Sequence, residues 1–314
     1  YPASIDLSLP PRRRLTAAEH RRLSRRYKAR RALRAYAFLA PVFVFFSVFL
    51  VVPCIWLLWG TFHAGGVYGP SEFVGLENWK TAFSDPLVRT TIENTFSLAL
   101  MSIPPLFLIG LGLALLLLNL RRGGAALRAA LYFPTLAPLV IVASIWLFVI
   151  HPDFGALNLG LRMLGGGSVN WLGDTQLSLP TLAMVEVWRG IGFWSLFFLA
   201  ALISLPRELY EAAHLDGTNA WQRFRYLTLP LLRRTFLFAI VLSVINTLQT
   251  FDTVFVMTNG GPANSTATVA WYIYESIYVF DEAGFGATLS FVLLLMILAL
   301  TLIAMRLLRA RRMT

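Results

Sequence analysis

Two apolar stretches of the chain carry polar side chains that packing alone does not require. In the first stretch, Glu186 and Arg189 stand three residues apart, so a helix would place both on one face. A charged side chain at the centre of a bilayer costs about 2.5–3.5 kcal/mol by insertion scales, and such residues commonly line solute pathways. A Glu–Arg pair that satisfies itself and only braces a helix bundle is the alternative, and the spacing allows both.

The second stretch carries amide and hydroxyl groups. Asn246, Gln249 and Thr250 have the i, i+3, i+4 spacing of one helical face, and Thr247 lies beside them. Such a face offers many neutral hydrogen-bond donors and acceptors and suits a sugar, whereas hydrogen bonding between helices is the alternative. Asp252 follows near the end of the stretch, where it could pair with an arginine or cap the glycine-rich turn after it.

The sequence lacks the motifs of common catalytic and metal sites. A phosphate-binding loop needs Gly-Lys followed by Ser or Thr, but neither of the two lysines, Lys28 and Lys80, follows a glycine. The four histidines fall in four separate segments, and the single cysteine, Cys54, cannot form a thiolate metal site. We therefore predict no catalytic residue, no metal site and no cofactor on this chain.

The elements that must position these residues are long apolar helices. Of the residues, 57% are hydrophobic and 14% charged, whereas soluble proteins have about a quarter charged. Each apolar stretch is long enough to cross roughly 30 Å of hydrocarbon. The sequence predicts an all-α membrane protein with six transmembrane helices, at residues 35–62, 91–118, 127–150, 178–204, 233–257 and 285–308.

The basic residues predict the orientation. With the N-terminus inside, 23 of the 27 lysines and arginines fall in cytoplasmic segments, and the other four are Lys80, Arg89, Arg162 and Arg189. Positive charge marks the cytoplasmic side, so both termini are predicted to be cytoplasmic. Residues 1–34 form a basic tail before the transmembrane domain, residues 35–314. Anionic lipid headgroups are the expected partners of this charge, and nucleic acid is not.

The segment 205–232, between spans four and five, is polar and helical in pattern. Pro206 can occupy the first turn of a helix, and Gly217 suits the position just after its end. Thr218 or Asn219 can cap a second helix, which Pro230 would break. This makes a compact projection predicted on the cytoplasmic side, and an ordinary amphipathic connector is the alternative.

The residues of this segment resemble the "EAA" loop of permease subunits of binding-protein-dependent ABC importers. The matching positions are Glu211, Ala212, Ala213, Gly217, Leu227, Leu229 and Pro230. The Gly-Gly-Pro run at 260–262 and the segment 75–79 are similar to the sugar-transporting members, so the resemblance covers most of residues 36–310. Leu227 replaces a usual isoleucine, and Arg233 replaces a proline often found there, which leaves the start of span five open.

The resemblance implies a type I ABC importer permease fold in the bacterial cytoplasmic (inner) membrane. Its coupling loop would contact a cytoplasmic ATP-binding subunit dimer, which holds ATP and Mg, through Glu211, Ala212, Ala213, Leu215, Asp216 and Gly217. A second homologous permease subunit and an extracytoplasmic solute-binding protein are the other implied partners. The implied substrate path comprises Glu186, Trp188, Arg189, Gly190, Phe193, Asn246, Thr247, Gln249, Thr250 and Asp252.

The expected function is passage of a carbohydrate across the membrane by alternating access, with no enzyme activity on this chain. Arg189 would suit an anionic solute, so a glycerol-3-phosphate or glycerophosphodiester permease of the same family is an alternative, and a polyol permease of that family is another. A polytopic membrane enzyme and an autonomous secondary transporter are further alternatives. The first would need a cluster of carboxylates or histidines at an interface, and the second would need coupling-ion sites.

Overall fold

The computed structural model describes residue 32 and residues 34–67, 71–120 and 122–310. The chain divides into two units, residues 1–57 and 58–314. Apart from residues 32 and 34, the predicted basic tail lies outside the described residues. In the described part the fold is helical, with one small antiparallel sheet of two strands, in which His63 pairs with Phe73 and Ala64 with Glu72.

The first unit consists, in its described residues, of the greater part of helix α1 (Arg34–Gly60). The helix is 27 residues long, or roughly 40 Å at 1.5 Å per residue, and it contains one π-helical turn at Ser47–Val51. All its residues up to Leu57 are exposed. This length and apolar composition fit a membrane-spanning helix.

The second unit contains the end of α1, the sheet and twelve further helices among the described residues. The strands are β1 (His63–Ala64) and β2 (Glu72–Phe73). The helices are α2 (Glu77–Ser84), α3 (Pro86–Asn119), α4 (Gly124–Leu136), α5 (Leu139–Val149), α6 (Ala156–Met163), α7 (Ser178–Ile203), α8 (Arg207–Leu215), α9 (Ala220–Arg223), α10 (Arg233–Leu248), α11 (Asp252–Met257), α12 (Val269–Tyr274) and α13 (Ala283–Ala310). Between α9 and α10 the chain continues as a π-helical segment, Phe224–Thr228, and a short helical piece, Leu229–Leu231; a second π-helical segment, Glu275–Val279, follows α12.

The six predicted spans are confirmed as apolar helical segments, with one difference in the third. Five helical segments of the described chain are long and apolar enough to cross a membrane: Arg34–Gly60, Pro86–Asn119, Ser178–Ile203, Arg233–Met257 and Ala283–Arg306. The third predicted span is the pair α4 and α5, which meet at 99°. Ala137 is extended before Pro138, because a residue before proline avoids the helical region.

The helices that carry the polar residues pack closely on one another. A Cβ atom at Gly192 of α7 would lie 1.9 Å from the carbonyl oxygen of Leu131 in α4, so only glycine permits this approach. One turn away, the Thr135 hydroxyl donates a hydrogen bond of 3.0 Å to the carbonyl oxygen of Arg189. On the other side of α7, a cluster of aromatic rings joins it to α3 and α10, formed by Phe107, Trp194, Phe198 and Phe236. These contacts fix α7 between α4 and α3.

A partly buried hydrogen bond ties the start of α3 to α12. The Tyr272 hydroxyl donates to a carboxylate oxygen of Asp85 at 2.8 Å, and the other oxygen of Asp85 caps α3 by accepting from the amide of Leu87. Burial, the hydrogen bond to Asp85 and the negative charges of Asp85 and Glu282 raise the pKa of the Tyr272 hydroxyl above its ordinary value. The tie links two segments 187 residues apart in the sequence.

We expect Tyr272→Phe to lower the stability of the folded chain by about 1.5–3 kcal/mol, because it removes a hydrogen bond to a charged group. Thermal unfolding in detergent measures the change, and Tyr278→Phe is the control because Tyr278 is 69% exposed and makes no hydrogen bond with a described residue. The folded-state pKa is raised, so the stabilisation from Tyr272 is complete below about pH 10, where tyrosine ionises in the unfolded chain, and is lost above it. Equal melting temperatures for the two variants would contradict this assignment.

Candidate functional site

The polar residues of spans four and five surround one cavity of about 410 Å³. It lies among α3, the junction of α4 with α5, α7, and the junction of α10 with α11. Its lining comprises Ser102, Leu106, Thr135, Leu139, Glu186, Arg189, Gly190, Phe193, Trp194, Ser243, Asn246, Thr247, Gln249, Thr250, Phe251 and Asp252. Charged, amide, hydroxyl and aromatic groups therefore meet in one space inside the predicted membrane region.

The structure brings together nine of the ten residues predicted for the substrate path. The tenth, Trp188, does not line the cavity. Its ring packs edge-on against Trp146 with centroids 5.4 Å apart, and it borders a separate apolar groove with Met184 and Ile191. The aromatic surface of the cavity comes from Phe193, with Trp194 and Phe251.

Glu186 and Arg189 share a face of α7 but form no salt bridge within the described chain. The Glu186 carboxylate instead accepts a hydrogen bond from the hydroxyl of Thr253 in α11. The structure thus gives Glu186 a partner on another helix. The alternative that the sequence allows, a Glu186–Arg189 pair that satisfies itself, is not formed as a direct salt bridge in the described chain.

Span five is interrupted where its polar residues lie. Helix α10 ends at Leu248, and Asp252 stands in the first turn of α11, so Gln249 and Thr250 fall in the break. A single continuous helical face, as the spacing predicts, does not hold beyond Leu248. The break nevertheless turns both side chains toward the cavity, together with Asn246. The carboxylate of Asp252 is favoured at that place because a helix N-terminus carries partial positive charge.

Sequence reasoning missed two serines of the cavity. The hydroxyls of Ser102 and Ser243 are buried and have no hydrogen-bond partner among the described residues. Ser243 lies three residues before Asn246, on the same face of α10, and this spacing could have identified it. Ser102 stands alone in an apolar span, so no pattern distinguishes it. Thr135 was also missed, and it enters the lining through the bend between α4 and α5.

The segment 205–232 forms a projection of two short helical elements. Helix α8 begins one residue after Pro206, and Gly217 follows its last turn with φ of +72°. The amide of Thr218 donates to the carbonyl oxygen of Ala213 and closes the turn. Asn219 caps α9 and exchanges hydrogen bonds with Gln222, as the sequence predicts for one of its two candidate caps.

Pro230 does not end the second element, which corrects the sequence prediction. The chain stays helical from Ala220 to Leu231, and it takes a π-helical form over Phe224–Thr228. Proline has no amide hydrogen to donate, so a helix that includes it must rearrange its hydrogen bonds locally. The turn that separates this element from α10 lies at Leu232.

The predicted contact residues of this projection lie on its surface. Glu211, Ala212, Leu215, Asp216 and Gly217 are exposed, and Ala213 is half-buried. The Leu215 side chain is 88% exposed. A hydrogen bond of 3.0 Å between the hydroxyls of Tyr210 and Thr228 holds α8 against the element that follows. Exposed apolar side chains on a rigid projection are typical of a protein–protein contact.

The described residues contain no group of three or more histidine, cysteine, aspartate or glutamate side chains that could hold a metal ion. The lining of the cavity offers hydrogen-bonding groups, charged groups and aromatic surface. Such groups bind and orient polar molecules.

Comparison with known proteins finds transport proteins of similar sequence. Residues 91–313 match the family model described as binding-protein-dependent transport system inner membrane component. The chain is 33% identical to the sulfoquinovosyl glycerol transport system permease protein SmoG of Agrobacterium fabrum, over 89% of this chain and 91% of the relative. It is 30% identical to the trehalose/maltose transport system permease protein MalF of Thermococcus litoralis, over 92% and 98%.

A solved structure has the same fold. A chain in the crystal structure of a bacterial ABC transporter involved in the import of the acidic polysaccharide alginate superposes with a TM-score of 0.80. The two chains are 25% identical, and the match covers 92% of this chain and 100% of the other. The chain described here belongs to the family of inner-membrane components of binding-protein-dependent transport systems.

Proposed function

We propose that this chain is the membrane-spanning subunit of an ATP-driven importer, and that it passes a carbohydrate across the cytoplasmic membrane by alternating access. The observation that carries the proposal is the cavity between α3, α7 and α10, whose lining combines amides, hydroxyls, charges and one aromatic face. A carbohydrate offers many hydroxyl groups and one apolar ring face, so it matches this lining. The relatives named above, which transport sugars or glycosides by their names, support the same class of solute.

The projection formed by α8 and α9 is the proposed contact with a separate ATP-binding subunit. Its exposed surface around Leu215 and Gly217 would seat in that subunit, and closure of an ATPase dimer would move it. The tie between Tyr210 and Thr228 would pass this motion to α10, because only the turn at Leu232 separates the second element from that helix. Helix α10 carries Ser243 and Asn246, so the cavity would respond to the ATPase.

The remaining partners follow from the same proposal. A second homologous permease subunit would complete the pathway, and an extracytoplasmic solute-binding protein would deliver the solute to the side opposite the projection. The chain itself would hydrolyse nothing, and ATP and Mg would be bound by the partner subunit. Both termini are proposed to be cytoplasmic, as the distribution of basic residues predicts.

Gly217→Asp tests the coupling. The complex of this chain with its second permease subunit, ATPase and binding protein is reconstituted in nanodiscs, and solute-stimulated ATPase activity is measured. We expect a loss of about tenfold or more, because the new side chain places a charge on the proposed contact surface. The backbone cost of a side chain at positive φ is about 1–2 kcal/mol.

The matched control is Gly123→Asp. Gly123 also has a positive φ, of +77°, and a Cβ there would meet no atom within 4 Å, as at Gly217. It lies in the short turn between α3 and α4, predicted on the same side of the membrane. Both substitutions carry a similar free-energy penalty for a side chain at positive φ. Equal ATPase activity in the two variants would therefore count against the proposed coupling surface.

Asn246→Leu tests the cavity. We expect it to raise the half-saturating solute concentration for ATPase stimulation about tenfold, because it removes one or two hydrogen bonds of about 1 kcal/mol each. Asn119→Leu is the control. Both asparagines donate a hydrogen bond of 2.9 Å to the carbonyl oxygen four residues earlier, but Asn119 lies at the end of α3, outside the cavity. A similar shift in both variants would refute a role of the cavity in solute binding.

A further inference from the structure

Arg189 lines the cavity, and its guanidinium forms no hydrogen bond and no salt bridge in the part of the chain that the structure describes. The salt bridges of that part lie elsewhere, within residues 77–93, and the one side-chain hydrogen bond that reaches Arg189 ends at its carbonyl oxygen. A guanidinium presents its N–H donors in a planar fork that fits the paired oxygens of a carboxylate, sulfonate or phosphate. Arg189 therefore offers several donors to whatever occupies the cavity.

The first turn of α5 adds backbone donors to the same cavity. Leu139, the first residue of this eleven-residue helix, belongs to the lining, and Pro138 before it supplies no capping side chain. The amides of Leu139 and Val140 have no acceptor within α5, because the first residues of a helix lack the preceding carbonyls that would accept them. The N-terminus of a helix also carries about half a positive charge, so it favours an anion.

Two buried hydroxyls in the same lining point to a ligand that carries hydroxyl groups. Ser102 is 3% exposed and Ser243 is 2% exposed, and neither hydroxyl has a partner in the described chain. Buried polar side chains are nearly always hydrogen-bonded in folded proteins. Each serine can both donate and accept, so a hydroxyl of the ligand would satisfy either one.

The two carboxylates of the cavity restrict the choice further. Glu186 and Asp252 also belong to the lining, and Thr253 donates to Glu186. A small inorganic anion would place its charge close to both carboxylates. A larger molecule can direct O–H groups toward them as donors and keep its negative charge at Arg189.

We propose that the cargo of this cavity is a carbohydrate with one anionic substituent, a carboxylate, sulfonate or phosphate. Arg189 and the first turn of α5 bind the anionic group, and Ser102 and Ser243 bind sugar hydroxyls. This inference rests on the proposed function, carbohydrate transport. A neutral sugar satisfies the serines but leaves the fork of Arg189 without a charged acceptor.

The test uses the complete complex in nanodiscs, with its binding protein, and measures stimulation of ATPase activity by matched probes. The pairs are a galacturonate disaccharide with its methyl ester, 6-deoxy-6-sulfoglucose with glucose, and glucose 6-phosphate with glucose. Glycerol 3-phosphate tests an anionic group without a sugar ring. Wild type is compared with Arg189→Gln and with Arg189→Lys, which keeps the charge but not the fork.

We expect one anionic sugar to stimulate the wild-type complex, and its neutral counterpart to be at least about tenfold weaker. Arg189→Gln should remove most of this preference, and Arg189→Lys should restore part of it. Ser102→Ala and Ser243→Ala should weaken stimulation by the anionic sugar without changing the preference for charge. If Arg189→Gln does not assemble, the preference of the wild-type complex decides the question.

Other results separate this inference from the proposed function. If a neutral sugar stimulates best and Arg189→Gln leaves it unchanged, the anionic cargo is refuted and carbohydrate import stands. If glycerol 3-phosphate stimulates and no sugar does, the anion site stands alone and the carbohydrate assignment falls.

Discussion

In hydrocarbon every backbone amide and carbonyl needs a partner from the protein, and this constraint explains where the helices of this chain are interrupted. A break in a spanning helix is tolerated only where the freed groups line a cavity or are buried in protein. The two breaks, at Ala137–Pro138 and at Gln249–Phe251, both border the same cavity. The freed backbone groups of these two breaks therefore lie where water or a solute can satisfy them.

The same constraint governs the side chains around the cavity. Glu186 obtains a donor from α11, and Thr135 donates to the backbone of α7, so each links two helices. The close contact between Gly192 and Leu131 holds α4 and α7 together beside these bonds. Helix α10, in contrast, is joined to the exposed projection through the turn at Leu232. The wall of the cavity formed by α4 and α7 is thus held by these contacts. The wall formed by α10 is connected to the projection, the proposed contact surface for a partner.

Much of the architecture was predictable from the sequence because it depends on repeated, local patterns. Apolar length identified the spans, and Gly217 and Asn219 identified the two ends of the turn in the projection. The size of the 99° bend was not predictable, since the stretch around Pro138 is apolar enough for one span and a proline alone does not specify an angle. Ser102 could not be assigned either, because its role depends on which helix lies opposite it. Trp188 was misplaced because residue type does not specify which side of α7 faces the cavity.

The contact at Gly192 also has a genetic consequence. Every nonsynonymous single-nucleotide change in a glycine codon introduces a side chain or a stop codon, and a Cβ there would lie 1.9 Å from the carbonyl oxygen of Leu131. No conservative replacement exists for this codon, in contrast to the open positions Gly112 and Gly160, where a Cβ would meet nothing within 4 Å. In a saturation mutagenesis library selected for growth on the transported solute, Gly192 should behave as an essentially invariant codon although it contributes no functional group. An invariant glycine at this site would reflect the close approach of the α4 and α7 backbones.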